Sequence, residues 1–279
     1  MKFNGNLAWQ QAIAAVAAHR DVLFAVAGVF FLLPALATGF FLTDVQAMML
    51  TNAQAVPPAA ATKFFLIGFG AALVQAVGTM TLLALLTDRK RPTVGEAIGI
   101  GLRAVPTVIA AAVLLMIAMM LATVPVSLLA GLMAAAAGPA AVVVVIALLV
   151  GFAYMMTKLS LLLPVIVIDR TFNPVAALLR SWRLTKGNSV RLFFFYLLLF
   201  VAYLVIAIVF GLLFSLFVGG GMAAMQGGGA QVGAGATLAM SLVSGVIGTV
   251  ASVILTAILA AVHHQLSGPS PDAVSATFE

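Results

Sequence analysis

The stretch NPVAALLRSWRLTKGNSVRLFFFYLLLFVAYLVIAIVFGLLFSLF, residues 173–217, joins a short basic segment to a long apolar run. The apolar run begins near residue 190 and exceeds the roughly 20 residues that an α-helix needs to cross a bilayer. It is continuously apolar and does not alternate like a strand of an outer-membrane barrel. The stretch therefore predicts a transmembrane helix that follows a shorter helix with charged residues on one side.

The composition of the whole chain indicates the same class of protein. Of its 279 residues, 64% are hydrophobic and 7% are charged, whereas a soluble domain carries roughly 25% charged residues. Six apolar segments are long enough to span a membrane, and they lie approximately at 22–42, 63–87, 106–130, 138–168, 190–217 and 237–262. We therefore predict an all-α integral membrane protein, with one polytopic domain over residues 1–266 and a disordered cytoplasmic tail over residues 267–279.

The positive charges of a six-span chain fall mainly on one side of the membrane. The basic residues on that side are Lys2, Arg20, Arg89, Lys90, Arg91, Arg103, Arg170, Arg180, Arg183, Lys186 and Arg191, whereas the opposite loops hold Lys63. Because basic loops stay in the cytoplasm, this asymmetry predicts a multi-pass protein of the bacterial inner membrane with both termini cytoplasmic. The net charge of +6 then indicates contact with anionic lipid headgroups and not with nucleic acid.

Three short amphipathic helices are predicted at the cytoplasmic interface, each followed by two spans. The first covers Asn6–Ala18, the second begins at the capping box Thr93–Glu96, and the third has Asn173 as N-cap and Pro174 as first helical residue. Their regular spacing raises the hypothesis of three repeats of one amphipathic helix plus two spans. Two interpretations of the third helix stay open and do not exclude each other: it lies in the interface, with Trp182 at headgroup depth, or it packs on the bundle as a capped surface helix.

Two groups of residues are candidates for functional contacts. The candidates for binding lipid headgroups are Arg89, Lys90, Arg91, Arg103, Arg180, Trp182, Arg183, Lys186 and Arg191. The candidates for a polar cluster inside the membrane are Lys158, Tyr154, Gln75, Thr79 and Tyr203. The first group follows from the attraction of basic residues to anionic headgroups, and the second from the cost of leaving a lysine unpartnered in the bilayer.

Lys158 precedes the cytoplasmic end of the fourth span, marked by Asp169, by about ten residues, which places it roughly 15 Å deep. No acidic residue maps to that depth. The expected partners are hydroxyl and amide groups, together with the carbonyl near residue 160 that Pro164 leaves without an N–H donor. Two interpretations stay open: Lys158 is a structural polar plug, or it contacts a lipid or a solute.

The chain lacks the patterns of several other classes of protein. It contains no cysteine, so disulfides and thiol chemistry are excluded, and it has no H-E-x-x-H, G-x-S-x-G or Walker motif. His263 and His264 are adjacent and point about 100° apart on a helix, so we interpret them as interfacial anchors and not as metal ligands. We predict that the protein is not an enzyme and has neither a cofactor nor a metal site.

The segment LPVIVIDRTFNPVAALLRSWRLTKGNSVRLFFFYLLL, residues 163–199, resembles the signature region of YciC-like bacterial inner-membrane proteins. It is also similar to the membrane domain of glycerophosphoryl diester phosphodiesterases. The matching residues are Pro164, Asp169, Pro174, Ala177, Ser181, Trp182, Leu184, Thr185, Lys186, Gly187, Asn188 and Arg191, and DRKRPTVGEAI (residues 88–98) resembles an earlier cytoplasmic element. The resemblance implies a multi-span helical protein with a basic residue on the fourth span, where Lys158 stands. It implies no phosphodiesterase activity, because the catalytic part of those proteins is a separate soluble domain.

These observations predict a non-enzymatic inner-membrane protein that binds or organises anionic lipid, or that supports envelope maintenance with a partner. The alternative is a small transporter or lipid-handling protein with a polar cavity around Lys158. The lipid species, the identity of a protein partner and the formation of a homo-oligomer stay open.

Overall fold

The chain is mainly helical in the part that the structure, a computed structural model, describes: residues 2–52, 56–86, 92–136, 138–218 and 234–267. The helices are α1 Gly5–Ala18, α2 Arg20–Ala27, α3 Leu33–Asn52, α4 Pro58–Leu85, α5 Val94–Ala136, α6 Gly138–Leu159, α7 Leu162–Val167, α8 Pro174–Leu184, α9 Ser189–Val218 and α10 Ala234–Ser267. A π-helical segment, Gly28–Leu32, joins α2 to α3. These ranges contain no strand, and the prediction of an all-α fold is confirmed.

Six helical stretches within the described ranges are long and apolar enough to cross a membrane. They are Arg20–Leu42, Pro58–Leu85, Val94–Leu121, Leu149–Val167, Ser189–Leu213 and Ser241–Ser267. These six stretches correspond to the six spans that the sequence predicts. The predicted tail lies outside the described residues from residue 268 onwards.

The fourth span differs from the continuous helix expected over residues 138–168, because it is broken between α6 and α7. The break falls at Ser160 and Leu161, where Pro164 has no N–H to donate to the carbonyl of Ser160. Helical bonding resumes with the Val165 N–H, which donates to the Leu161 carbonyl at 3.0 Å. The sequence correctly identified the carbonyl that has no donor. The helix does not merely bend there: α6 ends at Leu159 and α7 begins at Leu162.

The first span accommodates its proline differently. Pro34 cannot donate to the carbonyl of Phe30, and the chain is π-helical immediately before it. The Leu33 N–H donates across this segment to the Gly28 carbonyl, five residues back. The helix therefore widens locally before Pro34.

The predicted helix starts are capped by the side chains that the sequence indicates. Asn173 Oδ1 accepts the N–H groups of Val175 and Ala176 at 3.0 and 3.1 Å. The Thr93 N–H donates to Glu96 Oε2 at 2.8 Å, and the Glu96 N–H returns a bond to Thr93 Oγ1 at 3.4 Å. The helix that begins after Thr93 continues directly into the third span, so the second predicted amphipathic segment is the first part of α5.

The three helix starts share one register of small, buried residues. Counted from the N-caps Asn4, Thr93 and Asn173, the fourth and eighth residues are Ala8 and Ala12, Ala97 and Gly101, and Ala177 and Ser181, all buried. The ninth residue is large, apolar and exposed in each case: Ile13, Leu102 and Trp182. This common register supports the threefold layout, and the existence of true repeats stays a prediction.

Contacts between residues group the chain into two compact units. The first contains Met1–Gln11, Leu102–Tyr196 and Ile258–Glu279, and the second contains Ala12–Gly101 and Leu197–Ala257. In the second unit, a core cluster forms from Leu23, Val26, Ala27, Phe31, Leu82 and Val253. The single polytopic domain proposed for residues 1–266 stays a prediction.

Candidate functional site

Helix α8 is fixed within the first unit by polar contacts along its buried side. Its buried residues are Ala177 and Ser181. The Ser181 hydroxyl donates at 3.0 Å to the carbonyl of Lys158, which lies at the broken end of α6. Upstream of the helix, the Thr107 hydroxyl donates to the Phe172 carbonyl at 2.9 Å. The small residues thus bring α8 close to the fourth span, and the broken span supplies an acceptor for it.

The turn before α8 directs Asp169 towards two basic side chains. Arg170, the next residue, has a φ of 52°, a left-handed conformation that is uncommon for residues other than glycine. Arg180 Nε donates to Asp169 Oδ2 at 2.6 Å, and His263 Nε2 lies 3.0 Å from the same oxygen. A single carboxylate oxygen therefore connects the turn, α8 and the end of α10.

This environment lowers the pKa of Asp169 below its ordinary value of 3.8. Partial burial by itself raises the pKa, because it disfavours the charged form. The hydrogen bonds from His263 and Arg180, together with the positive charge of Arg180, favour the carboxylate and outweigh burial. Asp169 is therefore ionised at neutral pH and holds the Arg180 side chain by its Nε.

Beside Arg180 lies an open depression of about 350 Å³, which we call the basic pocket. It is lined by Arg180, Arg183, Leu184, Lys186, Asn188 and Leu266. Three of these residues are cationic and none is acidic. Three cations around one depression suit an anion such as a phosphate group, which both guanidinium and ammonium groups bind.

The N-terminal segment contacts the chain next to this pocket. The Phe3 N–H donates to Asn188 Oδ1 at 3.0 Å, and the Asn4 N–H donates to Gln265 Oε1 at 3.3 Å. Phe3 also packs edge-on against Phe195, with ring centroids 5.4 Å apart. These contacts connect the chain before α1 to Asn188 in the lining of the pocket and to Gln265 on α10.

The predicted headgroup-binding residues are only partly brought together. Arg180, Arg183 and Lys186 share the basic pocket. Arg191 on α9 and Arg103 on α5 are exposed and do not line the pocket. Arg89, Lys90 and Arg91 lie outside the described residues.

Lys158 is covered by two aromatic rings. Its Nζ lies 5.5 Å from the ring centroid of Tyr154 and 5.3 Å from that of Trp182, and the residue is 3% exposed. The two rings meet edge-on at 6.0 Å. In the part of the chain that the structure describes, no carboxylate lies within ion-pair distance of Lys158, so cation–π attraction is its principal polar stabilisation.

Of the predicted intramembrane cluster, the structure brings together Lys158 and Tyr154 and adds Trp182. Gln75 and Thr79 belong to the second unit, where the Thr79 hydroxyl donates to the Gln75 carbonyl at 3.0 Å along their own helix. Tyr203 also belongs to the second unit and is exposed. A functional cluster of all five residues stays a prediction.

Replacing Trp182 by alanine is expected to lower the free energy of unfolding by about 1–3 kcal/mol. This range combines a partly desolvated cation–π contact with an edge-on aromatic pair. Trp182→Phe keeps a ring over Lys158 and is expected to lose less than half as much. Unfolding in mixed detergent, followed by circular dichroism, measures both variants.

A double-mutant cycle with Lys158→Met separates the cation–π contribution from the rest. In that background the two Trp182 variants should differ by less than they do beside the native lysine. An unchanged difference between them would show that Trp182 does not stabilise the Lys158 ammonium group.

Sequence reasoning missed the roles of Asp169 and His263. Both lie at the predicted cytoplasmic ends of spans, and this shared placement was the available signal. The residues are 94 positions apart, and periodicity carries no information about pairing across that distance. His263 is more than an interfacial anchor, because its ring is buried against Asp169.

The six apolar helices and the family comparison define the class: a multi-pass integral membrane protein. Residues 122–273, more than half of the chain, match the family described as the membrane domain of glycerophosphoryl diester phosphodiesterase, and the chain belongs to that family. The resemblance seen in the sequence is thereby confirmed. No curated protein and no solved structure gives a significant match.

Proposed function

We propose that this protein is a non-enzymatic membrane protein that binds anionic lipid headgroups in the basic pocket. The observation that carries the proposal is the lining of the pocket, which among the described residues contains Arg180, Arg183 and Lys186 and no acidic residue. Basic pockets beside transmembrane helices are suited to anionic headgroups. Organisation of such lipids, or envelope maintenance with a protein partner or a second copy, would follow from this binding.

The outward face of α8 supports a position in the membrane interface. Its large apolar residues Val175, Leu179 and Trp182 are exposed, whereas the residues packed inward are Ala177 and Ser181. An exposed apolar helix face beside membrane spans is stabilised by burial away from water, and the boundary between headgroups and acyl chains of the bilayer can bury it. Bilayer contact on this face would place the nearby cations at headgroup level.

The distribution of charge supports the orientation. We place the basic pocket and both termini in the cytoplasm of a bacterial cell, because the positive charges gather on that side of a six-span chain. The protein would then meet the anionic leaflet of the inner membrane with its basic surface.

Neutralising the pocket by Arg183→Gln and Lys186→Gln together is expected to weaken phosphatidylglycerol binding. Each basic residue near the surface contributes about 1 kcal/mol, so losing one or two contacts weakens binding about fivefold to 30-fold. Native mass spectrometry of the full chain, titrated with phosphatidylglycerol and with phosphatidylcholine, gives both affinities.

The matched control is the double variant Arg20→Gln and Lys63→Gln, which removes the same charge from exposed positions outside the pocket. It is expected to bind phosphatidylglycerol as the native chain does. If both double variants weaken binding equally, net charge and not the pocket determines lipid binding, and the proposal fails.

The alternative of a transporter with a cavity around Lys158 receives no support from the geometry of that residue. Its ammonium group is covered by Tyr154 and Trp182. We therefore favour a structural role for Lys158, in which it anchors α8 to the fourth span.

A further inference from the structure

The three cations of the basic pocket differ in how their charge is compensated. Arg180 Nε donates to Asp169 Oδ2 at 2.6 Å, and the Asp169 side chain is only 10% exposed. This contact offsets the charge of Arg180 and occupies one of its five N–H donors. The terminal nitrogens of its guanidinium group keep four N–H donors for other acceptors, at a position that Asp169 fixes.

Arg183 and Lys186 have no such compensation. Within the described ranges, neither side chain forms an ion pair with a carboxylate, and both residues are exposed. The pocket therefore presents two uncompensated positive charges beside one neutral arginine–aspartate pair.

Resting on the proposed function, we infer that the basic pocket selects lipids whose headgroup carries two negative charges over lipids whose headgroup carries one. A doubly charged headgroup balances Arg183 and Lys186 together and accepts hydrogen bonds from Arg180. A singly charged headgroup leaves one of the two cations without a partner. The shared chemistry is a phosphate dianion or a pair of phosphodiesters.

The apolar part of the lining indicates a lipid and not a soluble phosphate ester. Leu184 and Leu266 line the same depression as the cations. A lipid places the apolar start of its chains next to its phosphate, which matches this juxtaposition. The exposed apolar face of α8 lies on the same helix as Arg180 and Arg183, so a lipid in the pocket would adjoin the interface.

The test compares three lipids, two with a doubly charged headgroup and one with a singly charged headgroup, on the full chain at pH 8. Phosphatidic acid and cardiolipin carry two charges there, and phosphatidylglycerol carries one. Native mass spectrometry is expected to give about fivefold tighter binding for each doubly charged lipid, which corresponds to one additional basic contact. Equal affinity for all three lipids would overturn the inference and leave the proposed function intact. Failure of all three to bind better than phosphatidylcholine would overturn both.

Lowering the pH to 5 provides a test that needs no variant. Because the second ionisation of a phosphomonoester has a pKa of about 6, phosphatidic acid becomes singly charged and should lose its advantage over phosphatidylglycerol. Cardiolipin, with two phosphodiesters, should keep its advantage. A pH-independent advantage of phosphatidic acid would contradict selection by charge.

The variant Lys186→Gln should bring the ratio of affinities for doubly and singly charged lipids close to one, since Arg183 is then the only uncompensated cation among the described residues of the lining. A circular dichroism spectrum and a detergent unfolding curve that match those of the native chain would show that the variant has kept its fold. The control Lys63→Gln should keep the preference. A preference for doubly charged lipids that survives Lys186→Gln would refute the inference. In a separate competition experiment, displacement of phosphatidic acid by millimolar glycerol phosphate would refute the choice of a lipid as the ligand.

Discussion

Replacing Gly78 by leucine is expected to lower the free energy of unfolding by about 3 kcal/mol or more, at the upper end of the range for overpacked interiors. Gly78 lies on the buried side of α4. A Cβ at this position would overlap the Cβ of Phe30 and lie 3.0 Å from Cε2 of Phe31. The Phe30 Cβ is bonded directly to the backbone, so it cannot rotate away as the end of a flexible side chain can. The helices themselves would have to separate.

The same helix offers a matched control at Gly70. No atom lies within 4 Å of the position that a Cβ would occupy there, and the residue is exposed. Gly70→Leu is expected to leave stability unchanged or to raise it by up to about 1 kcal/mol, because glycine weakens a helix interior. Detergent unfolding curves of the two variants test the difference, and equal losses would show that Gly78 is not a close contact between helices.

The sequence was sufficient for the spans and the helix starts because both depend on local signals. The length of an apolar run indicates a span, and the residue type of a cap indicates a helix start. Asn173 and Thr93 form the bonds that their identities indicate. The break in the fourth span was only half predictable. Pro164 identifies the carbonyl that loses its donor, but whether the helix bends or ends depends on what lies beside it. Here the hydroxyl of Ser181 bonds the neighbouring Lys158 carbonyl.

The contacts of the candidate site were not predictable from local patterns. The sequence did not identify the side through which α8 packs: the helix packs through Ala177 and Ser181 and leaves Leu179 and Trp182 exposed. The reason is physical: small residues allow backbones to approach closely, and a membrane can cover the large ones. The same close approach places Trp182 against Lys158, so the sequence identified Tyr154 as a partner of Lys158 but did not identify Trp182.

Replacing Asp169 by asparagine is expected to lower the free energy of unfolding at neutral pH by about 2–3 kcal/mol. The carboxylate accepts charge-assisted bonds from Arg180 and His263 through one oxygen, and such bonds contribute about 1.5–3 kcal/mol each. The Arg180 side chain is 49% exposed, so water screens its share of the stabilisation. Asparagine keeps the shape and an acceptor oxygen, and the loss therefore measures the negative charge.

The dependence of this effect on pH follows from the lowered pKa of Asp169. A carboxyl group whose pKa is lower in the folded state contributes stability that is fully present above the unfolded value, here 3.8. That contribution disappears as the pH falls below 3.8 and through the folded pKa, because the folded state must then take up the proton it excludes. The native chain should therefore lose stability in this acid range faster than Asp169→Asn, and the two unfolding free energies should converge.

Asp21→Asn is the control for this comparison. Asp21 carries an exposed carboxylate 3.6 Å from Arg20, and exposed pairs of this kind contribute little, so its removal should leave the acid profile unchanged. Parallel profiles for the native chain and Asp169→Asn down to pH 3 would show that the carboxylate has no preferential stabilisation in the folded state. If the unfolding free energies of the native chain and Asp169→Asn converge at low pH while Asp21→Asn follows the native profile, the stabilisation belongs to the contacts with Arg180 and His263. These contacts also hold Arg180 at the basic pocket, so the stability profile would report on the fixed part of that site.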